Sequence, residues 1–500
     1  MALDPAAQAV SGPDGRVELR DHSAIASSPH YNAELAPVPL ARRTWGTYNF
    51  FALWMGMAHN IPSYTLAASL VALGMDWLQA LLTITLGNLI VLVPMLLNSH
   101  AGTKYGIPFP VFARAFYGVR GANLVALLRA FVACAWFGIQ TWVGGGALHV
   151  VVGRLAGDGW TRAPEVLGRA WTLWLCFLVF WVVQMLVVWR GMEAIRRFEN
   201  WTAPLVSVGF LVLLAYVAVE AGGFGPILAE PSRLGWGPDF WSVFFPALMG
   251  MIAFWSTLSL NMPDFTRFGG SQREQALGQV LGLPTTMSFI AVVAILTTSG
   301  AVARYGEAIW DPAELASRFD STAVVLVALV ALVAATVSAN LAANVVSPAY
   351  DFSNAFPKRI TFAAGGLLTG LIGVAIQPWR LISDPSGYVF AWLGFYGGLL
   401  GSVAGVLVAG YWVLARTRLA LPDLYLAGRG AYWFRAGWNW RAVAATALGS
   451  LLAVGGAHGG PFPADGLLPP LAPLYDYNWV VGMVVGLVGH LALAPRRENA

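Results

Sequence analysis

Apolar runs separated by charged and Pro/Gly-rich stretches recur along the whole sequence, at about 47–72, 77–97, 122–152, 171–189, 201–220, 240–262, 282–302, 321–347, 361–377, 386–414, 441–457 and 479–494. A helix of about 20 such residues crosses a hydrocarbon core of about 30 Å. The pattern therefore predicts an all-α integral membrane protein of about twelve transmembrane helices. Composition agrees, because 57% of the 500 residues are apolar and only 11% are charged, where a soluble domain has about one quarter charged.

Two of the runs are interrupted where an unbroken helix is most favourable: Trp54-Met-Gly-Met-Ala-His-Asn-Ile-Pro62 in the first, and Met249-Gly-Met-Ile-Ala-Phe-Trp-Ser-Thr-Leu-Ser-Leu-Asn-Met-Pro263 in the sixth. Proline removes a backbone donor and glycine loosens the helix, so the freed carbonyls need partners inside the protein or at a cavity. Interrupted helices five spans apart predict a five-plus-five inverted repeat with a binding site at the bilayer midplane. Two Pro-kinked helices without a site are the plainer alternative. The chain then divides into an N-terminal tail (1–43), a first five-helix repeat (44–220), a second (221–415), and two extra helices with a C-terminal tail (416–500). The N-terminal tail reads as loosely ordered, 271–279 as a short polar helix before span seven, and 348–354 as a turn or re-entrant piece.

The net charge of +4 is explained by placement and not by an anionic or nucleic-acid partner. With the N-terminus inside, 21 Lys and Arg fall on the inner side and seven on the outer, with Arg129 left within span three. The excess of positive charge on cytoplasmic loops places both termini in the cytoplasm, in the plasma (inner) membrane. The N-terminus has no basic stretch followed by an apolar one and does not read as a cleaved signal. Cys134 and Cys176, the two cysteines, lie inside predicted spans and suit a small buried apolar role, with no disulfide or metal site implied. No Walker A sequence, His-Glu-x-x-His pair or Gly-x-Ser-x-Gly elbow occurs. The chain reads as a transporter and not an enzyme, with a gradient as its source of energy.

Candidate chemistry lies in the polar and aromatic residues at membrane depth. Trp136 and Gln140, four apart in span three, share one helical face. An indole with an amide beside it suits a flat ring, which stacks on one and is read at its edge by the other; a core Trp and an interhelical Gln is the competing reading. Trp255, in the break of span six, offers a second aromatic face opposite Trp136. Ala335, Ser338, Asn340 and Asn344 follow an alanine-rich stretch in span eight, and the two amides need partners there, either between helices or at a site. His59, in the break of span one, reads first as a buried neutral imidazole with satisfied nitrogens and second as a proton relay. Asp264 pairs with Arg267 or caps the following segment.

Five strings together resemble the nucleobase-cation symport-1 family: Arg43-Thr-Trp-Gly-Thr-Tyr-Asn49, the span-one break from Trp54 to Pro62, Asn98-Ser-His-Ala-Gly-Thr-Lys-Tyr-Gly-Ile-Pro-Phe-Pro110, Leu260-Asn-Met-Pro-Asp-Phe-Thr-Arg267 and Asn344-Val-Val-Ser-Pro-Ala-Tyr-Asp351. The strings look closest to bacterial allantoin and hydantoin permeases, with uracil permeases next. The resemblance implies alternating access and a substrate stacked between Trp136 and Trp255, with Gln140 and Asn344 bonding its amides and Asn60 lining the pocket. It also implies a cation site at the carbonyls of Gly56, His59 and Ala335 and the hydroxyl of Ser338. Sodium-coupled members carry a second hydroxyl after that serine, where this chain has Ala339. The coupling ion is therefore sodium or a proton, and no other cofactor is implied. Within this family the function implied is import of allantoin or a related hydantoin, with uracil or another nucleobase as the alternative.

Overall fold

The computed structural model describes residues 9–12, 14–190, 207–381 and 384–495. Residues 201–206, the start of the predicted fifth span, and the tail beyond 495 lie outside the described residues. Span one divides into α1 (Thr47–Ala58) and α2 (Ile61–Ala72). Spans two and three are α3 (Trp77–Tyr105) and α5 (Ala122–Ala156), joined through the short α4 (Phe109–Tyr117). Spans four and five are α6 (Trp171–Trp189) and α7 (Ser207–Glu220). Span six is divided into α8 (Pro238–Phe254), α9 (Ser256–Asn261) and α10 (Pro263–Thr266). Then follow α11 (Gln272–Tyr305), α12 (Thr322–Asn344) with α13 (Val346–Ala355), and α14 (Phe362–Ala375). Span ten is α15 (Gly394–Val408) between π-helical turns at Gly387–Leu393 and Ala409–Leu414. Spans eleven and twelve are α16 (Trp440–Val454) and α17 (Asn478–Leu493), which pack with α15 as a three-helix group.

Among the described residues six helices are long and apolar enough to cross a membrane unaided, those of spans two, three, four, seven, eight and ten. The other predicted spans are broken or shorter. The 14 residues of α14, for example, rise only about 21 Å. Short and broken segments are tolerated at membrane depth where protein and not lipid surrounds the freed backbone.

The packing carries the signature of the repeat. Span one packs along span seven, span six along span two, and spans three and eight on each other, the exchange expected if spans six to ten repeat one to five. Glycines permit the closest approaches: a Cβ on Gly87 would stand 2.5 Å from the Cβ of Met251, and one on Gly373 would stand 2.8 Å from the carbonyl oxygen of Cys134. The second contact brings α14 backbone to backbone against α5, the helix that carries Trp136. Cys134 and Cys176 are free and buried.

Three expectations are corrected. Residues 272–279 are not a separate polar helix but the first turns of α11, which runs on through Pro284. Their polar face is packed, since Gln279 is buried and donates to Ser99 Oγ at 3.0 Å. Residues 346–355 form α13 and not a turn. The described N-terminal segment is structured: Ala9–Ser11 pairs antiparallel with Val17–Leu19, and Leu19, Ile25 and Leu35 are buried. Two buried arginines fasten it, Arg43 donating to Val17 O (2.8 Å) and Val38 O (2.7 Å), and Arg267 to Glu34 O (3.1 Å) and Ala36 O (2.7 Å). An irregular strand near the membrane needs donors for its carbonyls, and these guanidinium groups supply them.

Candidate functional site

The break in span one is built by one side chain. Asn60 is extended, at φ −150° and ψ 169°, and caps α2, its Oδ1 accepting from Ser63 N at 2.8 Å. Its Nδ2 donates back to Met57 O at 2.6 Å, across the end of α1. Pro62 sits in the first turn of α2, where a missing N–H costs little. The Asn60 N–H meets Ala58 O (3.1 Å) and the Ser63 N–H is held by the Asn60 side chain. The carbonyls of Gly56 and His59 thereby lose the donors that an unbroken helix would give them.

Span six breaks at Trp255, which ends α8 at φ −99° and ψ 5°. Its indole stands edge-on to that of Trp54 in α1, with centroids 5.2 Å apart, so the break in span six meets span one just ahead of its own break. Trp136 on α5 donates from Nε1 to Tyr396 Oη at 3.1 Å, which fixes its ring against span ten. The two amides of α12 have separate duties. Asn340 donates to Phe137 O (3.1 Å) and Gln184 Oε1 (2.7 Å), tying span eight to spans three and four. Asn344 donates to Asn340 Oδ1 at 2.9 Å, which sets the orientation of its amide.

Asn60, Trp136, Gln140, Trp255 and Asn344 line one buried cavity, together with Phe254, Thr257 and their neighbours. Its volume is about 20 Å³, room for about one water, so a ring enters only when side chains part. Buried polar atoms as a rule find partners, yet Gln140 Oε1 and Trp255 Nε1 have none among the described residues. One is an acceptor and the other a donor. Asn60 lines the cavity with its amide already engaged by the backbone.

Sequence reasoning missed Phe254. Its ring meets Trp136 at 5.0 Å and 80° and Trp255 at 5.0 Å and 89°, so a phenyl edge lies against both indoles expected to face each other. No sequence signal sets it apart from a core phenylalanine, because its contacts with the two indoles exist only once α8 ends at Phe254.

Gly56 and His59 end α1, which packs on the helix carrying Ala335, Ser338 and Ala339. Ala335 and Ser338 are buried on that helix. Ala339 is buried and adds no side-chain oxygen. His59 is buried against Phe289, its Nδ1 3.2 Å from Ser207 Oγ, while Nε2 has no partner among the described residues. The expectation of two satisfied imidazole nitrogens therefore holds for one of them. No group of three or more His, Cys, Asp or Glu among the described residues is arranged to hold a metal.

Asp264 neither pairs with Arg267 nor caps the segment after it. Its Oδ1 accepts from Phe109 N at 2.8 Å, so it caps α4 from across the fold, and Arg267 is drawn away by the N-terminal carbonyls. Arg129, left alone in span three by the sequence, meets Asp351 of α13 at 3.3 Å with both side chains fully buried. An intramembrane arginine calls for an acidic partner, and Asp351, in the segment that follows span eight, supplies it.

A family model described as "Permease for cytosine/purines, uracil, thiamine, allantoin" matches residues 37–482. The chain belongs to this family. The permease is 42% identical over 467 residues to the allantoin permease of Bacillus subtilis, a match covering 92% of both chains. It is 41% identical to a purine-uracil permease of Arabidopsis thaliana, over 85% of this chain and 71% of the relative. Its fold is similar to that of Mhp1, a nucleobase-cation-symport-1 family transporter, in a closed conformation with bromovinylhydantoin bound. That match has a TM-score of 0.74 at 24% identity and covers 93% of the permease and 95% of that chain. The inverted repeat inferred from two helix breaks is the architecture of this permease.

Proposed function

We propose that the permease imports a planar nitrogen heterocycle, allantoin or a related hydantoin, in symport with a cation. The observation that carries this reading is the convergence of Trp136, Gln140, Trp255 and Asn344 from spans three, six and eight on one cavity beside Asn60. A ring held against the indoles gains about 1–3 kcal/mol per stacked face by analogy with bases on aromatic side chains. Gln140 Oε1 takes a ring N–H, and the Trp255 indole N–H and the Asn344 amide face its carbonyls. Thiamine, with its cationic thiazolium, is a poorer match to these neutral groups.

In this reading the repeats are 44–220 and 221–415, with 416–500 appended, and they rock against each other around the site. The coupling ion is a proton or sodium, carried as cargo. Sodium would sit among the carbonyls of Gly56, His59 and Ala335 and Ser338 Oγ, with water completing the shell beside Ala339. Both termini face the cytoplasm across the plasma membrane, following the distribution of Lys and Arg.

A second reading, uracil or another nucleobase, is supported by the identity with the Arabidopsis purine-uracil permease, because a uracil imide presents the same edge. Uptake of radiolabelled allantoin into cells expressing the permease, with hydantoin, uracil and cytosine as competitors, separates the two. Repeating it with sodium replaced by choline, and with the proton gradient collapsed, identifies the coupling ion. Absence of uptake or competition by all four rings in a folded, membrane-inserted permease would overturn the heterocycle reading.

A further inference from the structure

A cavity of about 880 Å³ lies far from the substrate site, where spans ten, eleven and twelve meet α4. Its floor is apolar, with Phe116 from α4, Gly410 from the π-helical end of span ten and Ala494 after α17. Arg435 and Arg441, both exposed, stand at its rim. Among the described residues neither has a side-chain ion pair, and none with an acidic side chain lines the cavity. His490 of α17 reaches it from the protein side, 4% exposed, with Nδ1 unpartnered among the described residues.

The rim is held in shape before anything binds. Phe434 and Ala436, on either side of Arg435, have φ of 45° and 53°, a left-handed conformation that non-glycine residues keep only when their surroundings enforce it. The enforcement is visible: Arg120 N and Gly121 N donate to Gly437 O at 2.9 and 3.0 Å, and Asn439 Nδ2 donates to Phe116 O at 2.6 Å. Trp438 and Trp440 stack at 5.1 Å beside the arginines, and indoles of this kind gather at the headgroup level of a bilayer.

An apolar trough open at a membrane end, with two guanidinium groups above it that have no ion pair among the described residues and a buried imidazole at its back, matches a molecule with hydrocarbon chains and one anionic diester. We propose that this cavity is a binding site for an anionic phospholipid. Its acyl chains lie against Phe116 and span ten, its phosphate bridges Arg435 and Arg441, and His490 Nδ1 donates to a headgroup or ester oxygen. Basic pockets between membrane helices recognise headgroups in this way.

Native mass spectrometry of the full-length permease in detergent, titrated with phosphatidylglycerol or phosphatidylcholine, tests the proposal. The expected result is one retained phosphatidylglycerol, favoured about tenfold or more over phosphatidylcholine, the order that two surface arginines contribute. The R435Q/R441Q variant loses that preference, whereas R435K/R441K keeps most of it. Thermal unfolding of each variant separates lost binding from lost structure. Equal retention of the two lipids by the unmodified permease, or undiminished phosphatidylglycerol retention by a folded R435Q/R441Q variant, would overturn the site. The readout is binding and not uptake, so its failure leaves the substrate reading untouched.

Discussion

The phenyl ring of Phe254 meets the indole of Trp136 edge-on, with centroids 5.0 Å apart and planes at 80°. In the proposed site a cargo ring that stacks on Trp136 competes with this contact, so the size of residue 254 is expected to limit what is accepted. Phe254→Ala is expected to admit hydantoins with bulky ring substituents that the unmodified permease excludes, and to weaken binding of the smallest rings. Competition assays with a series of substituted hydantoins check this, and an unchanged rank order would remove Phe254 from the site.

Trp136 and Gln140 contribute differently. In the proposed site Trp136→Ala removes a stacking face and is expected to abolish measurable uptake, with Trp136→Phe retaining a fraction. Gln140→Leu leaves a cargo N–H unpaired in a dry cavity, a loss of about 1–3 kcal/mol. That is expected to raise KM by about tenfold or more. Initial-rate uptake against substrate concentration distinguishes the two.

A hydroxyl introduced at Ala339→Thr supplies the side-chain oxygen that the proposed cation shell lacks. Uptake by this variant is expected to depend on sodium more steeply than uptake by the unmodified permease. Identical uptake over a full sodium titration would argue that the α1 and α12 oxygens do not form a cation site.

Much of this arrangement is legible in the sequence, for reasons that differ by residue. The broken spans announce themselves because Gly, Asn and Pro in an apolar run free backbone groups that lipid cannot satisfy, and Trp136 and Gln140 fall together by helical periodicity. Phe254 escapes because a phenylalanine in an apolar helix looks like core until its neighbours are known. The separate duties of Asn340 and Asn344 likewise depend on which helices pass beside them. The order of the N-terminal segment comes from Arg43 and Arg267, whose partners are backbone carbonyls and leave no mark in the side-chain pattern.

Arg129 and Asp351 are both fully buried. Removing one charge strands the other, so Asp351→Asn or Arg129→Met alone is expected to destabilise the fold by about 3–5 kcal/mol. The double replacement Arg129→Met with Asp351→Leu is expected to recover much of the loss. Chemical unfolding in detergent micelles measures both, and additive losses in the double variant would contradict the pairing.

His30 lies in the N-terminal segment, where burial and the nearby Arg114 and Arg120 push its pKa from 6.5 down to about 4. The folded state therefore prefers the neutral ring, and the unfolded chain takes up the proton first. This contribution to stability is complete above about pH 6.5 and is lost as the pH falls toward 4. The melting temperature is expected to drop over that window and to drop less in His30→Asn, as followed by thermal unfolding at a series of pH values.

Asn60 holds both ends of the span-one break with a single amide, Oδ1 on Ser63 and Nδ2 on Met57. The elbow is thus pinned by a residue that also forms part of the cavity wall, which makes position 60 the least adjustable in the site. A lengthened side chain there would reopen the joint, whereas changes at 140 or 254 leave the backbone path alone. Under the proposed reading, diversification of cargo within this scaffold has its freedom on spans three and six, and its fixed point on span one.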